Sequence, residues 1–157
     1  MRTDERQALS ISRRSLITGV AGLGTLALIR SPAAAAPEDV IAAQRALFGD
    51  REIQTGRVMV TMPPIAENGF SVPFEVEVDS PMTEDDHVVQ IAVFSPRNPL
   101  PDMARFHLGP RAGRARVATR IRMSGTQAIT AVAEMSDGSL WSGSAETVVT
   151  LAACIIL

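Results

Sequence analysis

The chain reads Phe70-Ser71-Val72-Pro73-Phe74-Glu75-Val76-Glu77-Val78 near its middle. Apolar side chains occupy every second position of this run, and Ser, Pro or Glu stand between them. A period of two is typical of a β-strand that buries one face, so residues 70–78 are predicted to form such a strand with Phe70 on its buried face. Pro73 has no backbone N–H to donate to a neighbour, which favours an edge position for this strand.

Six further segments have strand character and are separated by turn-forming residues. They are residues 58–62, 88–94, 103–108, 114–123, 127–135 and 140–151. Together they predict an all-β fold, an immunoglobulin-like antiparallel β-sandwich of about seven strands. The segments 88–94 and 127–135 are apolar on both faces, which indicates either central strands or a surface that a partner covers.

A short N-terminal helix is predicted to precede the strands. It begins at Pro37 with two acidic residues in its first turn, as helix starts prefer, and Gly49 ends it. Its apolar residues do not form a continuous stripe along one face. We therefore expect it to pack on the end of the domain or on a partner.

Residues 1–36 have the pattern of a twin-arginine signal peptide. Arg13 and Arg14 precede a mildly apolar stretch, and a small-residue cleavage region follows it. The apolar stretch is shorter than the roughly 20 residues that a membrane-spanning helix needs. We expect export to the periplasm by the twin-arginine pathway, cleavage near Ala36 and no membrane anchor afterwards. Residues 37–157 are then one domain, which includes a C-terminal arm at 152–157.

The charge balance argues against nucleic acid as a partner. Five of the 15 basic residues and two of the 17 acidic ones precede residue 37, which leaves ten against fifteen and a net charge of −5. An acidic domain is poorly suited to a polyanion. Four arginines, at 114, 116, 120 and 122, share one strand parity and indicate a solvent-facing row, with an anion-guiding or partner-facing role as the alternative.

The sequence contains no recognisable catalytic or metal-binding arrangement. Glu84, Asp85 and Asp86 cluster beside His87, but they lack the ligand spacing of a zinc site and are typical of a solvated turn. No nucleophile stands out together with a base and an orienting acid. The chain is therefore predicted not to be an enzyme and to hold no metal and no cofactor.

Cys154 is the single cysteine and stands three residues from the end of the sequence, after a β-branched run. One interpretation is a small buried hydrophobe, since free cysteine is among the most buried residue types. The other is a working thiol that enters a pocket of another protein. An odd cysteine in an oxidising compartment favours the second, because it has no partner for an intramolecular disulfide.

Several short motifs accompany this cysteine. They are Glu67-Asn68-Gly69, Val78-Asp79-Ser80-Pro81-Met82, Asn98-Pro99, Ala104-Arg105-Phe106, Thr119-Arg120-Ile121-Arg122 and Ala133-Glu134-Met135-Ser136-Asp137-Gly138. With the terminal cysteine they resemble the SoxY family, the sulfur-carrier subunits of the periplasmic thiosulfate-oxidising (Sox) system. The resemblance implies an immunoglobulin-like sandwich with a flexible arm that forms a heterodimer, the SoxYZ complex, with a SoxZ-like subunit.

The resemblance also implies how the arm works. Cys154 would hold sulfur intermediates as covalent adducts, a haem-containing SoxXA enzyme would load it, and SoxB and, where present, SoxCD would process the cargo. The family arm usually ends Gly-Gly-Cys-Gly-Gly, whereas this chain ends Ala152-Ala153-Cys154-Ile155-Ile156-Leu157. Alanine has less backbone freedom than glycine, and isoleucine is stiff and bulky, so this arm differs from the family pattern in flexibility.

Two functions are therefore carried forward. The first is a covalent sulfur carrier in thiosulfate oxidation, with its adduct on Cys154. The second is a non-catalytic periplasmic interaction module, in which the apolar tail docks into a partner and the cysteine is incidental.

Overall fold

The computed structural model describes residues 35–153. They form one α-helix, a short 3-10 turn at Pro110–Ala112 and nine strands. The elements in chain order are α1 Pro37–Phe48, β1 Ile53–Thr55, β2 Val58–Thr61, β3 Ile65–Ala66, β4 Val72–Val78, β5 Val88–Phe94, β6 Asp102–His107, β7 Arg116–Ile121, β8 Gln127–Met135 and β9 Leu140–Val149. The prediction of about seven strands missed β1 and β3, because two or three residues are too few to establish a period of two.

The strands form two sheets. The larger sheet has the order β1-β9-β8-β5-β6, with β3 pairing to β9 as well, and the smaller sheet has the order β2-β4-β7. Most pairs are antiparallel, but β1 and β3 both run parallel to β9. The prediction of a wholly antiparallel sandwich therefore fails at the two short strands that follow the helix.

The main core lies between the two sheets. Val72, Phe74 and Val76 of β4 belong to the same buried cluster as Ile91 of β5 and Ile129 of β8, and each is at most 2% exposed. Alternating side chains of β4 provide this contact, as the period of two predicted. The burial of these side chains is the main favourable contribution to folding.

A second cluster lies on the outer face of the larger sheet. Phe48 of α1 packs with Phe94 of β5, their ring centroids 6.5 Å apart, and Val132 of β8 belongs to the same group. The helix thus covers the outer face of the sheet, which corrects the expectation that it packs on the end of the domain or on a partner. Residues 88–94 and 127–135 are apolar on both faces because β5 and β8 are covered on one side by the second sheet and on the other by this helix.

Two details of the first strand differ from the prediction. β4 is the middle strand of its sheet and not an edge strand. Its partner β2 ends at Thr61, opposite Glu75, so Pro73 has a paired neighbour on the β7 side alone. The strand also begins at Val72, and Phe70, expected on the buried face, is 53% exposed in the bend before it.

Candidate functional site

The predicted site residues lie at or beyond the end of the described chain. Cys154 and the apolar residues Ile155, Ile156 and Leu157 are outside the described residues, as are Arg13 and Arg14 of the signal. Ala152 and Ala153 are described, and both are half-buried. The structure therefore shows how the chain is held up to the residue before the cysteine. We call residues 148–153 the arm root.

Backbone hydrogen bonds fix the first half of the arm root. The N–H of Val148 donates to the carbonyl of Pro64 at 3.0 Å, and that of Thr150 donates to the carbonyl of Ala66 at 3.1 Å. These bonds continue the parallel pairing of β3 with β9. The chain is thus held against residues 64–66 beyond the point where β9 ends.

The second half of the arm root is bound to a different part of the domain. Leu151 accepts a hydrogen bond from the N–H of Gly69 at 2.7 Å, and the N–H of Ala153 donates to the carbonyl of Met123 at 3.0 Å. Met123 follows β7 and Gly69 precedes β4, so both belong to the end of the smaller sheet. The arm root therefore starts in the larger sheet and finishes on the smaller one.

Gly69 permits this close approach because it has no side chain. A Cβ atom at this position would lie 2.1 Å from the carbonyl oxygen of Met123 and 3.0 Å from the backbone nitrogen of Ala153. The N–H of Met123 also donates to the carbonyl of Gly69 at 2.9 Å. Backbone atoms cannot yield as a flexible side chain does, so any larger residue would force Gly69, Met123 and Ala153 apart.

A buried polar network holds the loop against which the arm root lies. The side-chain oxygen of Asn98 accepts from the backbone N–H of Ser124 at 3.0 Å, from its hydroxyl at 2.7 Å and from Gln127 Nε2 at 3.1 Å. Its side-chain nitrogen donates to the carbonyl of Arg122 at 2.8 Å. The hydroxyl of Ser95 donates to the side-chain oxygen of Gln127 at 2.6 Å and closes the network. Asn98 is 7% exposed, and buried groups bonded in this way fix a backbone conformation.

This supported loop contacts the arm root at two points. The carbonyl of Met123 accepts from Ala153, as described above, and the hydroxyl of Thr126 accepts from the N–H of Val149 at 3.0 Å. Both residues lie between β7 and β8, within the segment that Asn98 holds. The position of Ala153 therefore depends on a polar network that is far from it in sequence.

Arg116 and Arg120 of the arginine row lie on β7, whereas Arg114 precedes this strand and Arg122 follows it. Arg116 donates two hydrogen bonds to the carboxylate of Glu75, at 2.9 and 2.7 Å, and these bonds hold the pKa of Glu75 below its ordinary value of 4.5. Arg120 donates to the hydroxyl of Ser71 at 2.6 Å and to its carbonyl at 3.0 Å. Both arginines are exposed and cross-link β7 to the β4 side of the sheet, which favours the interpretation of the row as solvent-facing.

The acidic turn is held by its own hydrogen bonds. The N–H of Asp86 donates to the hydroxyl of Thr83 at 3.1 Å, and Nδ1 of His87 lies 3.0 Å from the carbonyl of Thr83. Within the described part of the chain, no three His, Cys, Asp or Glu side chains come together as a metal site would need. Among residues 35–153, no helix is both long and apolar enough to span a membrane.

The sequence predicted Cys154 as the site, which stays a prediction, but it did not predict the residues that hold the arm root. Gly69 and Asn98 were quoted only as parts of the motifs Glu67-Asn68-Gly69 and Asn98-Pro99. Their roles depend on contacts with Met123, Ser124 and Ala153, which no local pattern predicts. The sequence signal that could have indicated them is a glycine and an asparagine in loops, next to prolines or strands.

Comparison with solved structures defines the class of protein first. Superoxide reductases from Ignicoccus hospitalis (15% identity, TM-score 0.54, 62% of this chain and 94% of theirs) and Nanoarchaeum equitans (15%, 0.50, 60% and 99%) share the fold. The sulfur carrier protein SoxY from Chlorobium limicola f thiosulfatophilum is 31% identical, with a TM-score of 0.62 over 73% of this chain and 98% of that one. The fold thus defines a class of mostly β, two-sheet domains in which different chemistries occur.

The family within this class follows from the sequence. The family model described as "Sulfur oxidation protein SoxY" matches residues 44–154, which includes the cysteine. The chain therefore belongs to the SoxY family, and the resemblance noted in the motifs is confirmed. No curated protein matches the chain.

Proposed function

We propose that this chain is a covalent sulfur carrier in thiosulfate oxidation, with its intermediates bound to Cys154. Membership of the SoxY family and the likeness to a solved sulfur carrier support the role. The observation that carries the proposal is the arm root. Main-chain bonds hold the chain as far as Ala153, so the residue that directly precedes the only cysteine has a defined place on the domain.

The chemistry of a thiol suits this role. A thiolate is the nucleophilic form of cysteine and forms bonds to sulfur readily. When the Cys154 thiol joins the outer sulfur of thiosulfate, one S–S bond forms, and one proton and two electrons are released. The carrier has no electron acceptor of its own in this proposal. The electrons pass to the haem of a SoxXA-type loading enzyme, and the catalytic residues belong to that enzyme and not to this chain.

The remaining features of the proposal follow from the family. The partner is a SoxZ-like subunit in a heterodimer, and SoxB and, in some systems, SoxCD act on the loaded arm. Residues 37–157 are the exported domain, placed in the periplasm by the twin-arginine signal at Arg13 and Arg14. The two facing sheets support an immunoglobulin-like sandwich as the description of the fold. Ala152, Ala153, Ile155, Ile156 and Leu157 form the arm around the cysteine.

The test is mass spectrometry of the C-terminal peptide. The reduced protein is mixed with its SoxZ-like subunit, thiosulfate and the loading enzyme, and the peptide that contains Cys154 is examined for an added thiosulfate group. We expect the adduct on the wild type and none on Cys154→Ser, which has no thiol left. An unmodified wild type would contradict the carrier role.

The same variant separates the carrier from the interaction module. A tail that acts by docking alone keeps its apolar residues in Cys154→Ser, so thiosulfate oxidation in cells should then persist. A carrier loses it. Export is tested independently by replacing Arg13 and Arg14 with Lys, which should leave unprocessed precursor inside the cell.

A further inference from the structure

Exposed apolar side chains are concentrated on the arm root and on the two segments that pair with it. Ile65 and Val148 are direct partners in the parallel pairing of β3 with β9, and they are 64% and 46% exposed. Phe70 and Leu151 are 53% and 54% exposed, and the hydrogen bond from Gly69 to Leu151 brings their two segments together. We call Ile65, Phe70, Val148 and Leu151 the root patch.

The other exposed large apolar residues among the described residues are dispersed. They are Ile41 on α1, Met59 on β2, Val89 on β5 and Leu100 in the loop before β6. Single exposed apolar side chains are normal on protein surfaces, whereas a group of them marks an interaction site. The root patch is such a group: Val148 and Leu151 belong to the arm root, and Ile65 and Phe70 lie on the two segments that pair with it.

The anchoring of Ala153 limits how far its neighbour can be from this surface. The amide of Ala153 is bonded to Met123, and consecutive Cα atoms are about 3.8 Å apart across a trans peptide. Cys154 is joined to Ala153 by one peptide bond, and Ala153 is the last residue whose attachment to the domain is described. An enzyme that reacts with the thiol must therefore bring the rim of its active-site entrance against the root of the arm.

We propose that the root patch is the surface on which the loading enzyme docks, and that an apolar rim around the entrance to that enzyme's active site covers it. This inference rests on the proposed carrier function. The burial of four exposed apolar side chains is most favourable against another apolar surface, which indicates the chemistry of the rim. Small Ala152 and Ala153 leave space for that rim close to the arm.

The experiment uses steady-state loading of the heterodimer by the SoxXA-type enzyme with thiosulfate, with the carrier as the varied substrate. Each patch residue has a matched control elsewhere. Ile65→Ser is paired with Ile41→Ser, Val148→Ser with Val89→Ser, Leu151→Ser with Leu100→Ser and Phe70→Ser with Met59→Ser. Thermal unfolding of each variant verifies that the domain is folded, and alkylation of Cys154 by iodoacetamide measures the intrinsic reactivity of the thiol.

We expect the patch variants to raise KM for the carrier, by about tenfold or more when all four are combined, because truncating interface side chains weakens docking. We expect kcat, alkylation rate and the control variants to stay near the wild type. An unchanged KM in the folded combined variant would overturn the docking surface. Loss of the heterodimer in the patch variants alone would assign the patch to the subunit interface and overturn it as well.

Failure of the underlying function is distinguishable from failure of this inference. If the wild-type heterodimer acquires no adduct on Cys154, the carrier role itself is wrong. If it acquires the adduct with the same KM in wild type and patch variants, the carrier role stands and the docking surface is wrong.

Discussion

Two apolar surfaces of this domain differ in burial. On the outer face of the larger sheet, Phe94 and Val132 are fully buried because α1 covers them with Phe48. In the root patch, Ile65 and Leu151 remain more than half exposed. Side-chain packing holds α1 on the first surface, whereas main-chain hydrogen bonds hold the arm root at the second.

The difference separates stability from function. Buried aromatic contacts contribute to the free energy of folding. Because the core is close-packed, only side chains of similar volume fit at these positions. Main-chain bonds provide much of the attachment of the arm root, so the exposed side chains of Val148 and Leu151 are available for another protein. A domain that must present its own C-terminus needs both kinds of attachment. The following variants test the two separately.

The largest effect is expected at the helix-covered face. Phe48→Ala removes an aromatic side chain that is 3% exposed and should lower the free energy of unfolding by about 3–5 kcal/mol. Chemical denaturation measures this loss, and alkylation of Cys154 in the folded protein should not change. Ile41→Ala on the same helix, 56% exposed, is the control and should have little effect. Equal losses in the two variants would show that α1 is not held by the packing of Phe48.

Asn98→Ala should affect both regions of the comparison. It leaves the buried Nε2 of Gln127 and the part-buried donors of Ser124 without their acceptor, and the carbonyl of Arg122 without its donor, which should lower the free energy of unfolding by about 2–3 kcal/mol. The loop that carries Met123 should loosen, so the amide of Ala153 should exchange hydrogen faster. Asn68→Ala is the control, because the side chain of exposed Asn68 accepts only from the N–H of Phe70 among the described residues. An unchanged rate of amide hydrogen exchange at Ala153 would show that the network does not hold the arm root.

Gly69→Ala tests the arm root directly. The added Cβ meets the backbone of Met123 and Ala153, so we expect a loss of about 1–3 kcal/mol and a displaced root. Amide hydrogen exchange should rise at Ala153 and stay constant in β5 and β8. Gly109→Ala is the matched control, because Gly109 has an extended backbone with φ −154 and no atom within 4 Å of its Cβ position. If the two variants behave alike, the close approach at Gly69 does not restrain the arm.

The smallest effect concerns acid stability at the Glu75–Arg116 pair. The pKa of Glu75 is lower in the folded chain than its ordinary value of 4.5, because Arg116 hydrogen-bonds the carboxylate. The pair therefore stabilises the domain above pH 4.5, and this contribution is lost as the pH falls through the lower folded value. The melting temperatures of wild type and Glu75→Gln should differ slightly at neutral pH and converge in acid. A difference that does not depend on pH would exclude the ion pair as its source.

Local periodicity predicted much of the fold. The strand at Val72–Val78, the apolar strands β5 and β8 and the helix from Pro37 to Phe48 were all predicted. The short strands β1 and β3 were not, since each is defined by its parallel pairing with β9 and not by its own pattern. The predicted position of α1 was also wrong, because the apolar face of a strand does not indicate which element covers it.

The candidate site was predicted unevenly. Counting cysteines and their distance from the end pointed to Cys154, whose role stays a prediction. The residues that hold the arm root were missed because Gly69 is 54 positions from Met123 and 84 from Ala153 in the sequence. Such proximity follows from sheet topology, which local propensity does not specify.

The main-chain attachment of Ala153 has a consequence for how the tail can change. A bond from an amide N–H to a carbonyl is the same for alanine, glycine or any residue except proline. The bond between residue 153 and Met123 should therefore form with other side chains at this position. Grafting Gly-Gly-Cys-Gly-Gly onto residues 152–156 should preserve the melting temperature. The tail would then be a replaceable cassette, with its sequence set by the enzymes it meets and not by the fold.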